Sequence, residues 1–430
     1  MGYLINMLRV LVGIVCMLLA LPAGAMAQDV TLSLDEAIAF ALRDNRDILL
    51  KSADVEKAKL KIKEAYTAFS PTVTFSGGWN KTFDFYKKDI SQISTQTSVK
   101  QYLFKGFKAV NNVKYAGYNF EVSQAILNKT QLDTALNVVN SFYALLLAEE
   151  LAAINRSIVD NTDKHLEVAK KRFASGQASA SEVVSIEAAL KEVEKAYEVS
   201  LNQAESLRTL LNNLLYLDKD AKIKPIGGFL YEEETVAFDE AFVKAMRLRP
   251  EIKQYESQIK AAKRQAEMTR ADSRPTVYAS WDYYTKSHVA SLSGLSRNWN
   301  DYNLLGVTFS WPVFDGFATR MKVQQALVDV KSAQFNKEKA ISDIAMELKS
   351  AVLDLDSAIS KIRSAQAQSN AQKNTLVEMQ QKYTQGIRSA LDVEDALLSY
   401  DIALFNQKEA AYDYVLAKAR FDKATGGLIQ

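Results

Sequence analysis

Two hydrophobic rhythms alternate along this 430-residue chain. Long stretches carry apolar residues at helical spacing, as in Leu132, Leu136, Val139, Phe142 and Leu146, the three-and-four step that gives a helix one apolar face. Shorter stretches alternate at every second residue. Val73, Phe75, Trp79 and Phe83 take one parity, with Thr72, Thr74, Ser76, Asn80 and Thr82 on the other. Val277, Ala279, Trp281 and Tyr283 alternate with Thr276, Ser280 and Asp282, and Leu305, Val307, Phe309, Trp311 and Val313 with Gly306, Thr308 and Ser310. A period of two with one polar face predicts strands. The pattern gives four, over about 71–83, 95–104, 275–285 and 303–313, the second alternating least cleanly. Pro71 and Pro275 stop the helices before them. Each strand has about ten residues, the length of one that crosses a bilayer.

The whole plan occurs twice. Asp47-Ile48 and Glu251-Ile252 are 204 residues apart, as are Pro71-Thr72-Val73 and Pro275-Thr276-Val277. Phe104-Lys105-Gly106-Phe107 and Phe314-Asp315-Gly316-Phe317 are 210 apart, and Gly176 and Gly386 keep that offset. The predicted organisation is a leader over 1–27, a first repeat over 28–230 and a second over 231–430. Each repeat reads helix, two strands, then a long helical hairpin with its tip near 174–180 or 384–390. Between Phe107 and Lys224 there is no Pro, and Gly stands only at 117 and 176; between Phe317 and Thr425 the one such breaker is Gly386. An unbroken helix from Phe107 to about Phe173 measures roughly 100 Å at 1.5 Å per residue, longer than any compact domain, and calls for coiled-coil packing.

Charge and composition narrow the function. The formal net charge of +2 leaves no footprint for nucleic acid. Arg9, the apolar run Val10 to Leu21 and Ala25-Met26-Ala27 read as an export signal cleaved before Gln28. The single cysteine, Cys16, lies inside that signal, so disulfides, cysteine metal sites and lipidation at the cleavage point are not expected. After it no run of about 18 apolar residues predicts a spanning helix. His165, in a charged helical stretch, and His288, in a predicted loop, are the two histidines. With no catalytic triad, phosphate loop or metal-ligand spacing, no enzyme, cofactor or metal is expected.

All four tryptophans, Trp79, Trp281, Trp299 and Trp311, fall in or beside the strands, with Phe83, Phe85, Tyr86, Tyr102, Tyr283, Tyr284 and Tyr302. Aromatic girdles mark the interfaces of membrane barrels. Four strands cannot close a barrel, and lipid tolerates no open edge, so the chain must oligomerise. Two copies give eight strands, a barrel filled by its own side chains; three give twelve and room for a pore. A coiled-coil spacer or a trimeric adhesin is the competing class, and it leaves the doubled strand segments unexplained.

The hairpin tips read Phe173-Ala-Ser-Gly176-Gln-Ala-Ser179-Ala-Ser-Glu182-Val183 and Tyr383-Thr-Gln-Gly386-Ile-Arg388-Ser389-Ala-Leu-Asp392-Val393. Gly176 and Gly386 suit the left-handed end of one helix, and Ser179 and Ser389 cap the next. Glu182 is expected to complete a capping box fully, Asp392 approximately. This doubled aromatic-x-x-Gly-x-x-Ser-x-x-acid-Val pattern, the Phe-Asp-Gly triplet at 314–316 and the Leu34-Asp35-Glu36-Ala37-Ile38 helix start resemble the TolC-like outer-membrane efflux proteins. In the first repeat the triplet is Phe104-Lys105-Gly106, without the acid.

The resemblance implies a membrane α+β fold: four transmembrane strands per chain in a 12-stranded trimeric barrel, a long coiled-coil periplasmic barrel, and an equatorial region from 28–34, 216–235 and the C-terminus. It implies an outer-membrane exit duct for tripartite efflux or type I secretion. The partners would be outer-membrane lipid, a periplasmic membrane-fusion adaptor and an RND, ABC or MFS pump. Asp392 and Asp395 match the gate-ring carboxylates of the family, and Arg388, Tyr383 and Glu182 its gate tethers. Phe173, Gly176, Ser179, Gly386 and Ser389 match its adaptor-binding tips. Glu394 stands where an apolar residue is usual.

Overall fold

The computed structural model describes residues 30–85, 88–217, 222–229, 231, 237–289 and 299–427; the segment expected to be an export signal, Cys16 and Tyr86 lie outside them. The first repeat runs β1 (Val30–Leu32), α1 (Leu34–Asp44), α2 (Arg46–Tyr66), β2 (Thr72–Phe85), β3 (Lys88–Lys105), α3 (Lys108–Ala174) and α4 (Ala180–Leu215). After β4 (Ile223–Pro225) the second runs α5 (Phe238–Leu248), α6 (Pro250–Ala271), β5 (Thr276–Val289), β6 (Trp299–Ser310), α7 (Ala318–Thr384) and α8 (Ala390–Thr425). α3 and α7 both have 67 residues, and α4 and α8 both have 36.

Local chemistry places the helix ends. Ser33 and Glu36 exchange bonds in a capping box that starts α1, and the Asn45 side chain accepts from the backbone of Asp47 and Ile48 to start α2, each satisfying amides that a first turn leaves orphaned. Pro250 opens α6, where its missing N–H costs nothing. The strand-to-helix junctions are built alike. Gly106 and Phe107 take φ of 58° and 65°, and Gly316 and Phe317 take 66° and 66°. The rings of Phe104 and Phe107 meet edge-on at 5.3 Å, and those of Phe314 and Phe317 at 5.4 Å.

The four long strands form one antiparallel sheet in the order β2-β3-β5-β6. β3 starts at Lys88, earlier than its alternation indicates. Its outer parity carries Ser91, Thr95 and Thr97 as well as Ile93, so the periodic signal is weak, and pairing to β2 and β5 holds those residues in the ladder. β5 extends to Val289 and takes His288 into the strand, not a loop. β6 covers Trp299–Ser310, displaced from the expected 303–313: Pro312 removes a ladder donor, and the Trp311 indole instead donates to the Ser273 carbonyl at 3.2 Å.

The apolar core sits midway along the hairpins and repeats with the sequence. One cluster holds Leu32, Ala37, Ala41, Val138, Phe142, Leu145, Leu211, Leu215 and Ile223. Its counterpart holds Ala241, Ala245, Leu348, Val352 and Phe421 among others. The parallel pair β1–β4 delivers Leu32 and Ile223 to the first. A third cluster, Ala135, Val139, Leu416 and Ala419, joins α3 to α8 across the repeats. One window of α3 is apolar enough on average to cross a membrane, although it is no unbroken apolar run; the helix places Val138, Phe142 and Leu145 in the first cluster.

Candidate functional site: the hairpin tips and the two-faced sheet

At both tips a left-handed glycine turns the chain. Gly176 has φ 73° and Gly386 φ 74°, and neither has an atom within 4 Å of where a Cβ would stand, so the backbone angle, not space, requires glycine. The paired bonds Gly176 N to Phe173 O (2.9 Å) and Gln177 N to Arg172 O (2.8 Å) recur as Gly386 N to Tyr383 O and Ile387 N to Lys382 O, both 2.9 Å. These satisfy the carbonyls that a helix end leaves open. Phe173, Tyr383 and Ile387 stand exposed around the turns.

The caps depart from expectation. Asp392 completes the box: the Ser389 backbone N–H and hydroxyl donate to Asp392 Oδ2 at 2.8 and 2.9 Å, and Asp392 N–H donates to Ser389 Oγ at 3.2 Å. These bonds hold the Asp392 carboxyl below its ordinary value, with Arg388 adding to the effect. At the first tip Glu182 N–H donates to Ser179 Oγ at 3.2 Å, but the Glu182 carboxylate lies 4.0 Å from Arg172. The shorter aspartate reaches back to its own cap, whereas the longer glutamate is drawn to a cation across the hairpin. Arg388 acts on Glu378 and Asp392, carboxylates of its own hairpin.

The other two carboxylates of α8 near the tip cross to the first repeat. Lys164 Nζ lies 2.9 Å from Glu394 Oε1, and His165 Nε2 lies 2.6 Å from Asp395 Oδ1. Farther from the tip the same two helices are tied by Glu150–Lys408 at 2.8 Å and Asp133–Lys423 at 2.7 Å. The ladder keeps one antiparallel register from 133 to 165 on α3 and from 423 to 395 on α8. Lys164 and the role of His165 are not legible in the sequence as site features. Their one signal is an adjacent pair of basic and imidazole side chains matching the adjacent acids of the second tip.

The sheet has two chemically distinct faces. The register puts Val73, Phe75, Trp79, Ile93, Val99, Val277, Trp281, Leu305, Val307 and Phe309 on one, and Thr74, Ser98, Ser280, Asp282, Thr308 and Ser310 on the other. Phe75, Leu305, Val307 and Phe309 are all exposed in the single chain. Trp79 and Trp299 lie on one cross-strand row through Ile93 and Ser287. Trp311 is twelve residues on from Trp299, about 40 Å along a strand. Trp281 lies on the row of Val99 and Leu305, between these levels. Tyr102, Tyr284 and Tyr302 do not join the tryptophans; with Tyr278 they occupy the polar face. There Tyr284 stacks on Tyr302 at 4.9 Å, Gln96 donates to Asp282 and the Tyr284 hydroxyl, and Lys100 Nζ sits 3.7 Å from the Tyr278 ring centre.

One junction is covered and the other open. A Cβ on Gly106 would lie 2.8 Å from the Ala271 carbonyl and from Arg274 Cβ, whereas one on Gly316 would meet nothing within 4 Å.

Comparison with known proteins places these features in one group. A family model described as outer membrane efflux protein matches residues 37–214 and 242–427. The outer membrane protein TolC of Escherichia coli (strain K12) is 22% identical over 414 residues, covering 89% of this chain and 80% of that protein. The CmeC outer membrane channel of Campylobacter jejuni superposes with a TM-score of 0.76 at 17% identity, over 92% of this chain and 85% of its own. The open state of the MtrE outer membrane channel of Neisseria gonorrhoeae superposes with a TM-score of 0.73 at 17% identity, over 92% and 89%.

Proposed function

Because the chain belongs to the outer membrane efflux protein family, a family of channels in the outer membrane that extend into the periplasm, we propose that three copies form the exit duct of a tripartite efflux or type I secretion system. The observation that carries this reading is the four-stranded sheet with one apolar face and unpaired edges on β2 and β6. In lipid such edges must pair, and the channels of this family are trimers, so closure gives twelve strands. The Val307–Phe309 face then meets lipid and the Thr308–Ser310 face lines the lumen. Strands tilted by about 40° lift the 40 Å between Trp299 and Trp311 to roughly 30 Å, the thickness of a hydrocarbon core.

The internal duplication supplies the seam. β3 and β5 pair between repeats within the chain, and β6 and β2 are their equivalents between copies. Applying the two sequence offsets to Val99↔Trp281 and Thr97↔Tyr283 sets Phe309 opposite Gly77, and Val307 opposite Trp79, of the next copy. It also brings the next copy's α2 end over the open Gly316 junction. The helices reach about 100 Å from the barrel, so the tips are the periplasmic mouth, where Phe173, Gly176, Ser179, Gly386 and Ser389 meet the adaptor of the pump. Asp392 and Asp395 from three chains ring the axis, a charge pattern that favours cations. Glu182 has Arg172 within its own hairpin, so the Arg388 and Tyr383 tethers act between copies.

Oxidation of a Val307→Cys, Trp79→Cys variant in membranes should give a covalent trimer, and the purified protein should conduct in planar bilayers. Asp392→Ala with Asp395→Ala should weaken cation preference, and Arg388→Ser with Tyr383→Phe should raise conductance. A stable soluble monomer that neither cross-links nor conducts would overturn the reading.

A further inference from the structure

We propose that the polar sheet face, at the end where it joins the long helices, carries a docking station for multivalent anions built from Lys100, Lys105, Tyr102 and Tyr278. This inference rests on the reading of that face as the lumen of a channel. Its basis is a row of alternating ammonium groups and rings. Lys105 Nζ lies 4.5 Å from the centre of the Tyr102 ring, and Lys100 Nζ lies 4.9 Å from the same centre. Lys100 Nζ is also 3.7 Å from the centre of the Tyr278 ring. The two rings meet edge-on at 5.7 Å.

The register places this row. Tyr102 pairs with Tyr278, Lys100 with Ser280 and Lys105 with Thr276, all on the polar face. Lys105 is the last residue of β3, and α3 begins at Lys108, so the row stands where the strands pass into the long helices.

The charges in it are unanswered. An ammonium gains from the negative face of a ring, but a ring cancels no charge. Among the described residues neither Lys100 nor Lys105 has a carboxylate partner. Asp282, the one acid among the described side chains of this face, is buried and takes a hydrogen bond from the Gln96 amide at 3.1 Å. Two like charges held around one ring repel each other, and an arriving anion relieves that repulsion. A monovalent anion answers one ammonium, whereas a solute with two or more phosphate, sulfonate or carboxylate groups answers both.

The second repeat shows that the sheet does not itself demand these residues. By the two sequence offsets, Lys100 and Tyr102 correspond to Ser310 and Pro312, and Ser280 and Tyr278 to Ser76 and Thr74. The seam between copies therefore has no ammonium and no ring at this level. Lys105 corresponds to Asp315, whose carboxylate accepts from the Thr319 N–H at 2.8 Å and so caps α7. The station occurs once in each chain, at the pairing of β3 with β5.

Block of single channels by inorganic triphosphate in planar bilayers tests this. Each exposed ammonium pairing with an anion is worth a factor of about two to five. Lys100→Gln with Lys105→Gln should therefore raise the half-blocking concentration by about tenfold, and Lys100→Arg with Lys105→Arg should retain the block. Tyr278→Leu, which removes the ring under Lys100, should raise it by about threefold, and Tyr278→Phe should not. Lys81 lies on the apolar face with its ammonium 4.5 Å from the Phe83 ring centre, so Lys81→Gln should leave the block unchanged. A parental protein with no conductance defeats the channel reading itself. A block relieved by Lys81→Gln and not by the changes at Lys100 and Lys105 defeats the assignment of the polar face to the lumen. A conducting parent that triphosphate does not block defeats the station, as does a block that persists unchanged in Lys100→Gln with Lys105→Gln and in Lys81→Gln.

Discussion

The two repeats share a backbone and differ in what covers it. Their long helices have equal lengths, their junctions use the same left-handed pair, and their turns close with the same bonds. Yet Gly106 is pressed against Ala271 and Arg274 while Gly316 faces open space, and the acid at the first tip reaches across its hairpin toward Arg172 while that at the second closes its cap. Duplication reproduces local geometry faithfully, because caps and turns depend on a few neighbouring residues. Side-chain partnerships follow surroundings that only one repeat has within a single chain.

The sharpest way to break the comparison lies in the sheet, where the repeats should behave alike. Phe309 and Val99 are equivalent positions on the apolar face. Phe309→Arg and Val99→Arg should each cost roughly 2–4 kcal/mol near mid-membrane, and Thr308→Arg on the polar face far less, read by unfolding in lipid vesicles. Similar costs on both faces would mean the sheet is not in lipid.

The junctions come next. In the detergent-separated monomer, Gly316→Ala should cost only the left-handed strain of about 1 kcal/mol. Gly106→Ala should cost more, because the new Cβ meets a backbone carbonyl. In the assembled trimer the two should converge, since a second copy then covers Gly316. Thermal dissociation of the oligomer measures this, and a difference that persists would mean the seam between copies does not repeat the seam within the chain.

The smallest effect belongs to the caps. Ser389→Ala should loosen its tip more than Ser179→Ala, each by about 1 kcal/mol, because the second cap is reciprocal and the first is not. Asp392 has a lowered carboxyl value from its bonds to Ser389. Its contribution is therefore present above the carboxyl value of the unfolded chain and lost as pH falls through the lower folded value. Hydrogen exchange at the second tip should rise over that acidic window in the parent and lose that pH dependence in Ser389→Ala.

Much of the fold is legible in the order of residues. Gly176, Gly386, Pro71 and Pro275 punctuate the chain through their own backbone constraints, so the turns and the helix-to-strand boundaries can be read locally. The inner placement of Tyr102, Tyr284 and Tyr302 is also available from residue parity, but their aromatic character suggests the girdle. The early start of β3 is not legible, because a strand with polar residues on both faces has no periodic signal and takes its conformation from its neighbours.

Residue order is enough to dictate the doubled plan, the two-faced strands, the long helices and the kind of residue at each turn, since hydrophobic period, proline, glycine and caps act over a few residues. Packing between distant segments settles which acid closes its box, which junction is covered, and that Lys164 and His165 meet Glu394 and Asp395 across 230 residues of chain. Those depend on the register of α3 against α8, and that register is set by the equatorial apolar cluster of Ala135, Val139, Leu416 and Ala419, a contact that exists only after both repeats have folded onto each other.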